Sequence, residues 1–416
     1  GKVANLMRGF ISVALCCILL FAATSHARNN LARTPPMGWM SWEIFRCEVN
    51  CTEHPETCIS EHLYKAQTDA IVDGGFLAAG YNGIHMDDCW EQKDPPRDPQ
   101  TNELVPNPER FPSGMKALGD YMHSKNVQFG LYTAESPTTC GGYPASADHE
   151  VLDALTFARW GVDYMKVDGC GDLKYYQHGY KAMGDALEAS GRPIVYSCSW
   201  PAYIGSNETV KPFGEMIMDG CNLWRNWDDI QCDWSSLSSI IDHWGDWGSV
   251  LAPFAGPGHW HDMDMLLIGN DCITHDEERT QMAIWAISAA PLIMGNDLRN
   301  VSAESKSILL NKDAISVNQD ALGQMGVRIL NGTTQVWSRN LVEGVAVALY
   351  NKGDTDAADI TVNFDALHLF GSVEVYDIWA QQSVGATTTS YTAKAVPPHG
   401  TAFIRLTQQT ASPKHA

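Results

Sequence analysis

Apolar and polar positions follow two rhythms along this chain, and the change falls near Leu322. Before it, short apolar runs alternate with stretches whose apolar residues recur every three or four positions. The short runs predict strands over 37–41, 81–86, 128–133, 163–167, 194–198, 222–225, 250–254 and 291–295. Helical spacing fills the gaps. Ser60 predicts a cap for a helix carrying Leu63, Gln67, Ala70 and Ile71 near one face, ended by Gly74-Gly75. Met115, Leu118 and Met122 repeat in the same way, as do Val151, Leu155 and Ala158 before Gly161. After Leu322 the runs at 327–330, 335–338, 345–350, 360–364, 373–378 and 401–406 read as strands, with Asn331-Gly332 at a hairpin position.

From Trp42 to Asn296 the strand ends span 254 residues in seven steps, about 36 per step. A strand-helix unit needs roughly 30 residues or more. Eight of them predict a (β/α)8 TIM barrel over 28–322. An open doubly wound sheet is the alternative, but no glycine-rich phosphate turn follows the first strand. The region 323–407 predicts a C-terminal antiparallel β-sandwich, followed by a polar tail over 408–416. Two domains suit a chain of 416 residues.

The amino terminus reads differently. Met7-Arg8 precede an apolar run from Phe10 to Ala23, and Ser25-His26-Ala27 place small residues at an exit site. This is the pattern of a signal peptide over 1–27, with a mature chain expected from Arg28. Secretory entry changes the reading of the cysteines. Ten remain after that segment, an even number without paired C-x-x-C spacing, which favours disulfides over zinc. Sequons at Asn50, Asn207, Asn300 and Asn331 fit the same route, though a cysteine occupies the middle of the first. A formal charge of −21 argues against nucleic acid and anionic membrane surfaces as partners.

The run 163–170 carries the strongest chemical signal. Side chains alternate along a strand, so Lys166 and Asp168 face the same way, and Gly169 leaves Asp168 at the strand's carboxyl end. A buried Lys and Asp are costly unless paired or used, and either reading fits these residues alone. Around the barrel the other strand ends offer Trp42, Asp87 with Asp88, Tyr132, Ser199 with Ala202 and Tyr203, Arg225 with Asp229, Asp264, and Asn296. Carboxylates grip hydroxyls and aromatic rings stack on sugar faces. One acid and one carboxylate across a glycosidic bond then suffice for hydrolysis. Asp87-Asp88 also fits a metal or a loop acid pair. His259, His261, Asp262 and Asp264 offer metal-type ligands too, but no partner His cluster appears elsewhere. No metal or cofactor is expected.

Six motifs make the residues recognisable: RTPPMGW at 33–39, HMDDCW at 85–90, KVDGC at 166–170, YSCSWPAY at 196–203, WRNWDDI at 224–230 and AGPGHW at 255–260. Together they resemble the clan D glycoside hydrolases of family 27, which cleave α-linked galactose and N-acetylgalactosamine. The resemblance covers nearly the whole mature chain. It implies a retaining exo-glycosidase with Asp168 as nucleophile and Asp229 as acid/base. Trp42, Asp87, Asp88, Tyr132, Cys140, Lys166, Tyr203, Arg225 and Asp264 would bind the sugar. Lys166 is expected to keep Asp168 ionised, and a low working pH to protonate Asp229. Small residues at Ser199 and Ala202, where α-galactosidases carry a Glu and a larger apolar residue, leave room for a 2-acetamido group. The expected substrate is therefore terminal α-N-acetylgalactosamine on glycolipids, glycopeptides and oligosaccharides, with lesser action on α-galactose. A strict α-galactosidase and a non-catalytic sugar-binding protein are the alternatives.

The resemblance also implies disulfides Cys47–Cys89, Cys51–Cys58, Cys140–Cys170 and Cys198–Cys221, leaving Cys232 and Cys272 as a possible fifth pair. It implies a homodimer in the lysosome, with secretion as the alternative. Departures from the family pattern at 134–137, His261 and Met263 bear on leaving-group preference.

Overall fold

The computed structural model describes residues 28–409. The expected signal peptide and all but the start of the expected tail lie outside them. Eight parallel strands form one sheet: β1 (Met37–Met40), β2 (Gly83–His85), β3 (Gln128–Ala134), β4 (Tyr164–Asp168), β5 (Val195–Cys198), β6 (Leu223–Arg225), β7 (Trp260–Asp262) and β8 (Leu292–Met294). They run in the order β7-β6-β5-β4-β3-β2-β1-β8. Closure comes from Leu266, just beyond β7, which bridges Met294 in parallel and exchanges backbone bonds with Ile293 and Gly295. Helices pack outside, as expected of a TIM barrel.

Alternation along each strand divides the core in two. On β4, Met165 and Val167 point outward into the helix layer, with Trp39, Leu131 and Trp224. Tyr164 points inward with Met40, Leu223, Trp260 and Ile293, and these side chains fill the barrel below its carboxyl end. Lys166 and Asp168 share the face of Tyr164 but lie one and two layers higher. The lower layer also holds the imidazole of His85, stacked on Tyr164 at 4.0 Å. Gly130 makes that possible, since a Cβ there would lie 2.0 Å from His85 Nδ1. Burial drives the His85 pKa down to about 3, so the ring is neutral.

Seven barrel strands fall where the apolar runs placed them, and one does not. Residues 250–254 end the helix Trp234–Leu251 and form the turn Ala252–Phe254, while β7 is Trp260–Asp262. A short apolar run cannot by itself distinguish a strand from the buried end of a helix. The helix Glu61–Asp73 is capped as expected, with Ser60 Oγ accepting from Leu63 N. In the helix Glu150–Trp160 the inward face differs from the one read: Val151 and Leu155 are exposed, and Ala154 and Phe157 are buried.

The C-terminal region is antiparallel throughout. Strands β9 (Val327–Leu330), β10 (Thr334–Asn340), β11 (Val345–Asn351), β12 (Ala358–Asn363), β13 (Val373–Asp377), β14 (Gln382–Thr387), β15 (Ser390–Val396) and β16 (Thr401–Gln408) make two layers. Six pair in the order β14-β13-β16-β11-β10-β9, and β12 pairs with β15. Strands β14 and β15 were not expected, because their threonine-rich segments lack a strong apolar rhythm. The tail expected from 408 starts one residue inside β16, where Gln408 pairs with Val373.

Both faces of β11 are buried. Val345, Val347 and Leu349 pack with Ile360 and Val362 of the two-stranded layer. Ala346, Ala348 and Tyr350 join the core that surrounds the barrel. The sandwich therefore clamps onto the barrel through a continuous apolar contact. Asn331-Gly332 occupies the β9–β10 turn, as the hairpin reading expects.

Candidate active site

At the carboxyl ends of the strands lies a blind cavity of about 220 Å³, floored by the barrel's own filling. Larger ligand sites run from about 300 to 1,000 Å³, so this one suits a single sugar ring. Every substrate-contact residue expected from the family resemblance lines it: Trp42, Asp87, Asp88, Tyr132, Cys140, Lys166, Asp168, Ser199, Ala202, Tyr203, Arg225, Asp229 and Asp264. Asn296 does not. It is fully buried, its side-chain amide donating to Ile268 O and its backbone carbonyl accepting from Trp39 Nε1, so its place at the end of β8 is structural. Trp227, Asp228, Ile230 and Met265 also line the cavity and were not expected. Three of them flank Asp229 in the motif at 224–230, so proximity in sequence was the available signal.

Two side chains organise opposite walls. Lys166 Nζ donates to Asp87 Oδ2 at 2.7 Å. Burial disfavours the ammonium, but Asp87, Asp168 and Asp264 outweigh it and hold the Lys166 pKa above the ordinary lysine value. Burial pushes the carboxyls of Asp87 and Asp88 up, with Lys166 opposing this at Asp87. Asp88 Oδ2 accepts from Gly141 N at 2.7 Å, which ties the disulfide-bearing loop at Cys140 to the second strand end. On the other wall Arg225 forms ion pairs with Asp229 at 3.0 Å and Asp264 at 2.9 Å. Those carboxylates raise the Arg225 pKa despite its burial.

Asp168 is held by hydrogen bonds in addition to the charge of Lys166. Its Oδ1 accepts from Gly169 N and from the Tyr203 hydroxyl, both at 2.8 Å, and its Oδ2 accepts from the Tyr132 hydroxyl at 3.2 Å. Lys166 makes its direct ion pair with Asp87, so its effect on Asp168 acts through space. Three donors on one carboxylate fix its orientation toward the cavity.

Asp229 also corrects the reading. Its side chain is 73% exposed at the mouth, and Arg225 beside it holds its carboxyl below the usual aspartate range. The Arg225 pair therefore opposes protonation of Asp229 in the open site.

Neighbouring backbone geometry supports these placements. Cys89, Cys170 and Asp264 adopt left-handed φ values of 77°, 63° and 77° just past β2, β4 and β7. Such conformations cost free energy for non-glycine residues and persist where the surroundings over-determine them. Here the surroundings include the disulfides Cys47–Cys89 and Cys140–Cys170, and for Asp264 the bonds from Arg225, Ile230 N and Met265 N. Cys51–Cys58, Cys198–Cys221 and Cys232–Cys272 are also joined. The one cluster at metal-ligand spacing among the described residues is Cys140, Asp168 and Cys170, whose sulfurs are bonded to each other.

The departures at 134–137, His261 and Met263 lie outside the cavity. Glu135 turns into the interior, and its backbone N–H donates to Asp168 O at 2.7 Å. His261 accepts from Trp224 Nε1 at 2.9 Å, and burial holds its pKa down at about 4. Glu135, His261 and Met263 are buried and Pro137 is exposed, so of these departures only Pro137 offers an exposed side chain.

A parallel barrel with paired carboxylates, tyrosines and a tryptophan around a one-sugar cavity defines a carbohydrate-active hydrolase of the exo type. Residues 34–320 match the family described as Alpha galactosidase A, and residues 331–406 match the Alpha galactosidase C-terminal beta sandwich domain. The chain belongs to this melibiase family, glycoside hydrolase family 27. It is 48% identical over 332 residues to the α-N-acetylgalactosaminidase of Gallus gallus, covering 79% of this chain and 81% of that one. It is 44% identical over 330 residues to α-galactosidase A of Homo sapiens, covering 78% and 75%. The crystal structure of α-galactosidase I from Mortierella vinacea superposes with a TM-score of 0.82 at 32% identity, covering 93% of this chain and 100% of that one.

Proposed function

We propose that this chain is a retaining exo-α-N-acetylgalactosaminidase that also accepts α-galactosides more slowly. The observation that carries the choice of sugar is the wall formed by Ser199 and Ala202. Both border the cavity, Ser199 buried and Ala202 partly exposed, on the turn after β5. The Ala202 N–H bonds back to Ser199 O at 3.1 Å, and the adjoining Cys198–Cys221 bridge anchors the strand end. A short hydroxyl and a methyl leave space beside a sugar C2. There Ser199 would donate to an acetamido carbonyl and Ala202 would pack on its methyl.

In this reading Asp168 attacks the anomeric carbon while Asp229 protonates the departing oxygen. Water then displaces Asp168 with Asp229 as base. Asp87, Asp88 and Lys166 grip ring hydroxyls, and Trp42 stacks beside them. Because Arg225 opposes protonation of Asp229 in the open site, the bound sugar has to do part of the work. It covers the carboxylate and removes water from it, which favours the protonated form.

Acidic-pH assays with 4-nitrophenyl α-N-acetylgalactosaminide and α-galactoside test the choice. A higher kcat/KM for the acetamido sugar is expected, and a strong preference for galactose refutes it. Replacing Ser199→Glu together with Ala202→Leu should reverse the ratio; an unchanged ratio counts equally against the reading. Loss of no activity in Asp168→Asn would leave the nucleophile unassigned and favour a binding protein.

Its natural substrates in this reading are glycolipids, glycopeptides and oligosaccharides ending in that sugar, met in the lysosome by a homodimer. The five disulfides and four surface-exposed sequon asparagines support a secretory route. No helix among the described residues is long and apolar enough to cross a membrane. Light scattering and glycosidase-shift electrophoresis test the dimer and the sequons.

A further inference from the structure

Asp229 projects from the loop joining β6 to the helix Trp234–Leu251, and little of that loop is secured by backbone pairing. Arg225 reaches the carbonyls of Trp227 and Asp228 at 3.3 and 3.0 Å, and the Asp229 carboxylate at 3.0 Å. Ile230 N donates to Asp264 Oδ2 at 2.9 Å, and Gln231 N to Ser236 Oγ at 2.8 Å. Three residues beyond Asp229 the loop meets a covalent tie. Cys232 is bonded to Cys272, with Cα atoms 5.5 Å apart.

The far end of that tie is firmly seated. Cys272 is partly buried against the main core and stands two residues before Thr274. Thr274 caps the helix His275–Ile287 through a complete capping box with Glu277. The segment that carries Cys272 also carries Asp264. The bridge therefore links the two loops whose carboxylates, Asp229 and Asp264, share the Arg225 guanidinium. Cleaving it frees the exposed stretch 231–233 on one side of Asp229, leaving the carboxylate held by the Arg225 pair and by the buried Ile230, whose N–H donates to Asp264.

We propose that the Cys232–Cys272 disulfide is a positioning element for proton donation by Asp229. It keeps the loop 226–233 in register with 263–274, so that the Asp229 carboxyl meets the leaving oxygen. This rests on the assignment of Asp229 as acid/base. A displacement of about 1 Å at a reacting group costs about 100-fold in rate. The consequence is selective. A leaving group that departs unprotonated does not need Asp229, whereas an alkoxide does.

The test compares an alkyl or disaccharide α-glycoside with the 2,4-dinitrophenyl α-glycoside of the same sugar, in wild type and in Cys232→Ser/Cys272→Ser. Expected is a fall of about 10- to 100-fold in kcat/KM on the alkyl substrate. Less than about 3-fold is expected in kcat/KM on the dinitrophenyl substrate, since that ratio reports only the first step and its leaving group needs no proton. Cys51→Ser/Cys58→Ser serves as the control and should lose thermal stability without this selectivity. Equal losses on both substrates, or none on either, overturn the proposal.

If the double variant does not fold, limited reduction of the folded wild type supplies the broken bridge. A water-soluble phosphine is oxidised to its oxide, with water providing the oxygen and the two thiol protons. Iodoacetamide then caps the thiols, and mass mapping locates them. Asp229→Ala separates the two ideas. If it lowers kcat/KM equally on both substrates, the acid/base assignment fails. If it is selective and the broken bridge is not, the proposal on the disulfide fails alone.

Discussion

Glu135→Gln should flatten the dependence of stability on pH, and the size of the effect follows from where the side chain sits. Glu135 is 1% exposed, and its Oε2 has no protein hydrogen-bond partner. It occupies a niche against Gly179, where a Cβ would lie 2.0 Å from Glu135 Oε1. Burial, with Glu150, Asp148 and Asp153 nearby, pushes its pKa from 4.5 to about 9. The folded chain therefore binds this proton more tightly than the unfolded chain does. The contribution is fully present below about pH 4.5 and is lost as pH rises toward 9. At pH 7 the loss amounts to about 2.5 pKa units, or on the order of 3 kcal/mol.

Gln keeps the shape and cannot ionise. Other buried acids, Glu43 at about 7 and Asp219 and Asp262 at about 6, tilt both proteins the same way. The difference between the two melting curves isolates Glu135. Thermal scans at one fixed rate from pH 4.5 to 8 should show the variant gaining roughly 5 °C or more over wild type at the upper end. Parallel curves would refute the reasoning. Because Glu135 N holds Asp168 O, activity at neutral pH should persist longer in the variant as well.

Lys166→Met leaves Asp87 buried without its cation, which should cost roughly 3–5 kcal/mol and abolish measurable turnover; an unchanged melting temperature contradicts the pairing. Gly130→Ala drives a methyl into His85 and should destabilise by about 1–3 kcal/mol or more, read by chemical denaturation. Tyr203→Phe removes one of three donors from Asp168 and should lower kcat by about 10-fold, as expected for a hydrogen bond to a charged group. Asp168→Gly supplied with azide should yield the β-glycosyl azide, because azide takes the face that Asp168 occupies; an α-azide would remove Asp168 as nucleophile.

Much of the site was legible because the barrel converts sequence order into spatial order. Each strand end carries its chemical groups within a few residues of an apolar run, so Asp87, Lys166, Asp168 and Arg225 could be placed in one ring before any coordinates. Even the misplaced seventh strand left Asp264 at the right rim, since the residues after 260 follow whichever run is taken as the strand. The inward face of the helix Glu150–Trp160 was less accessible. Val151 and Leu155 have helical spacing, but Ala154 and Phe157 form a competing stripe, and only packing selects between them. Strands β14 and β15 were silent because edge and half-exposed strands need no apolar alternation.

The sequence by itself determined the strand-helix rhythm, the family motifs and most of the cavity lining, because these depend on local period and on residues adjacent in the chain. Tertiary structure alone decided the partners. Lys166 pairs with Asp87 rather than Asp168, Tyr132 and Tyr203 hold Asp168, and Arg225 pairs with both Asp229 and Asp264. It also joined Cys232 to Cys272 and turned Glu135 inward to a pKa near 9. Ionisation and pairing depend on distance and dielectric between residues far apart in the chain, and neither quantity exists until the chain has folded.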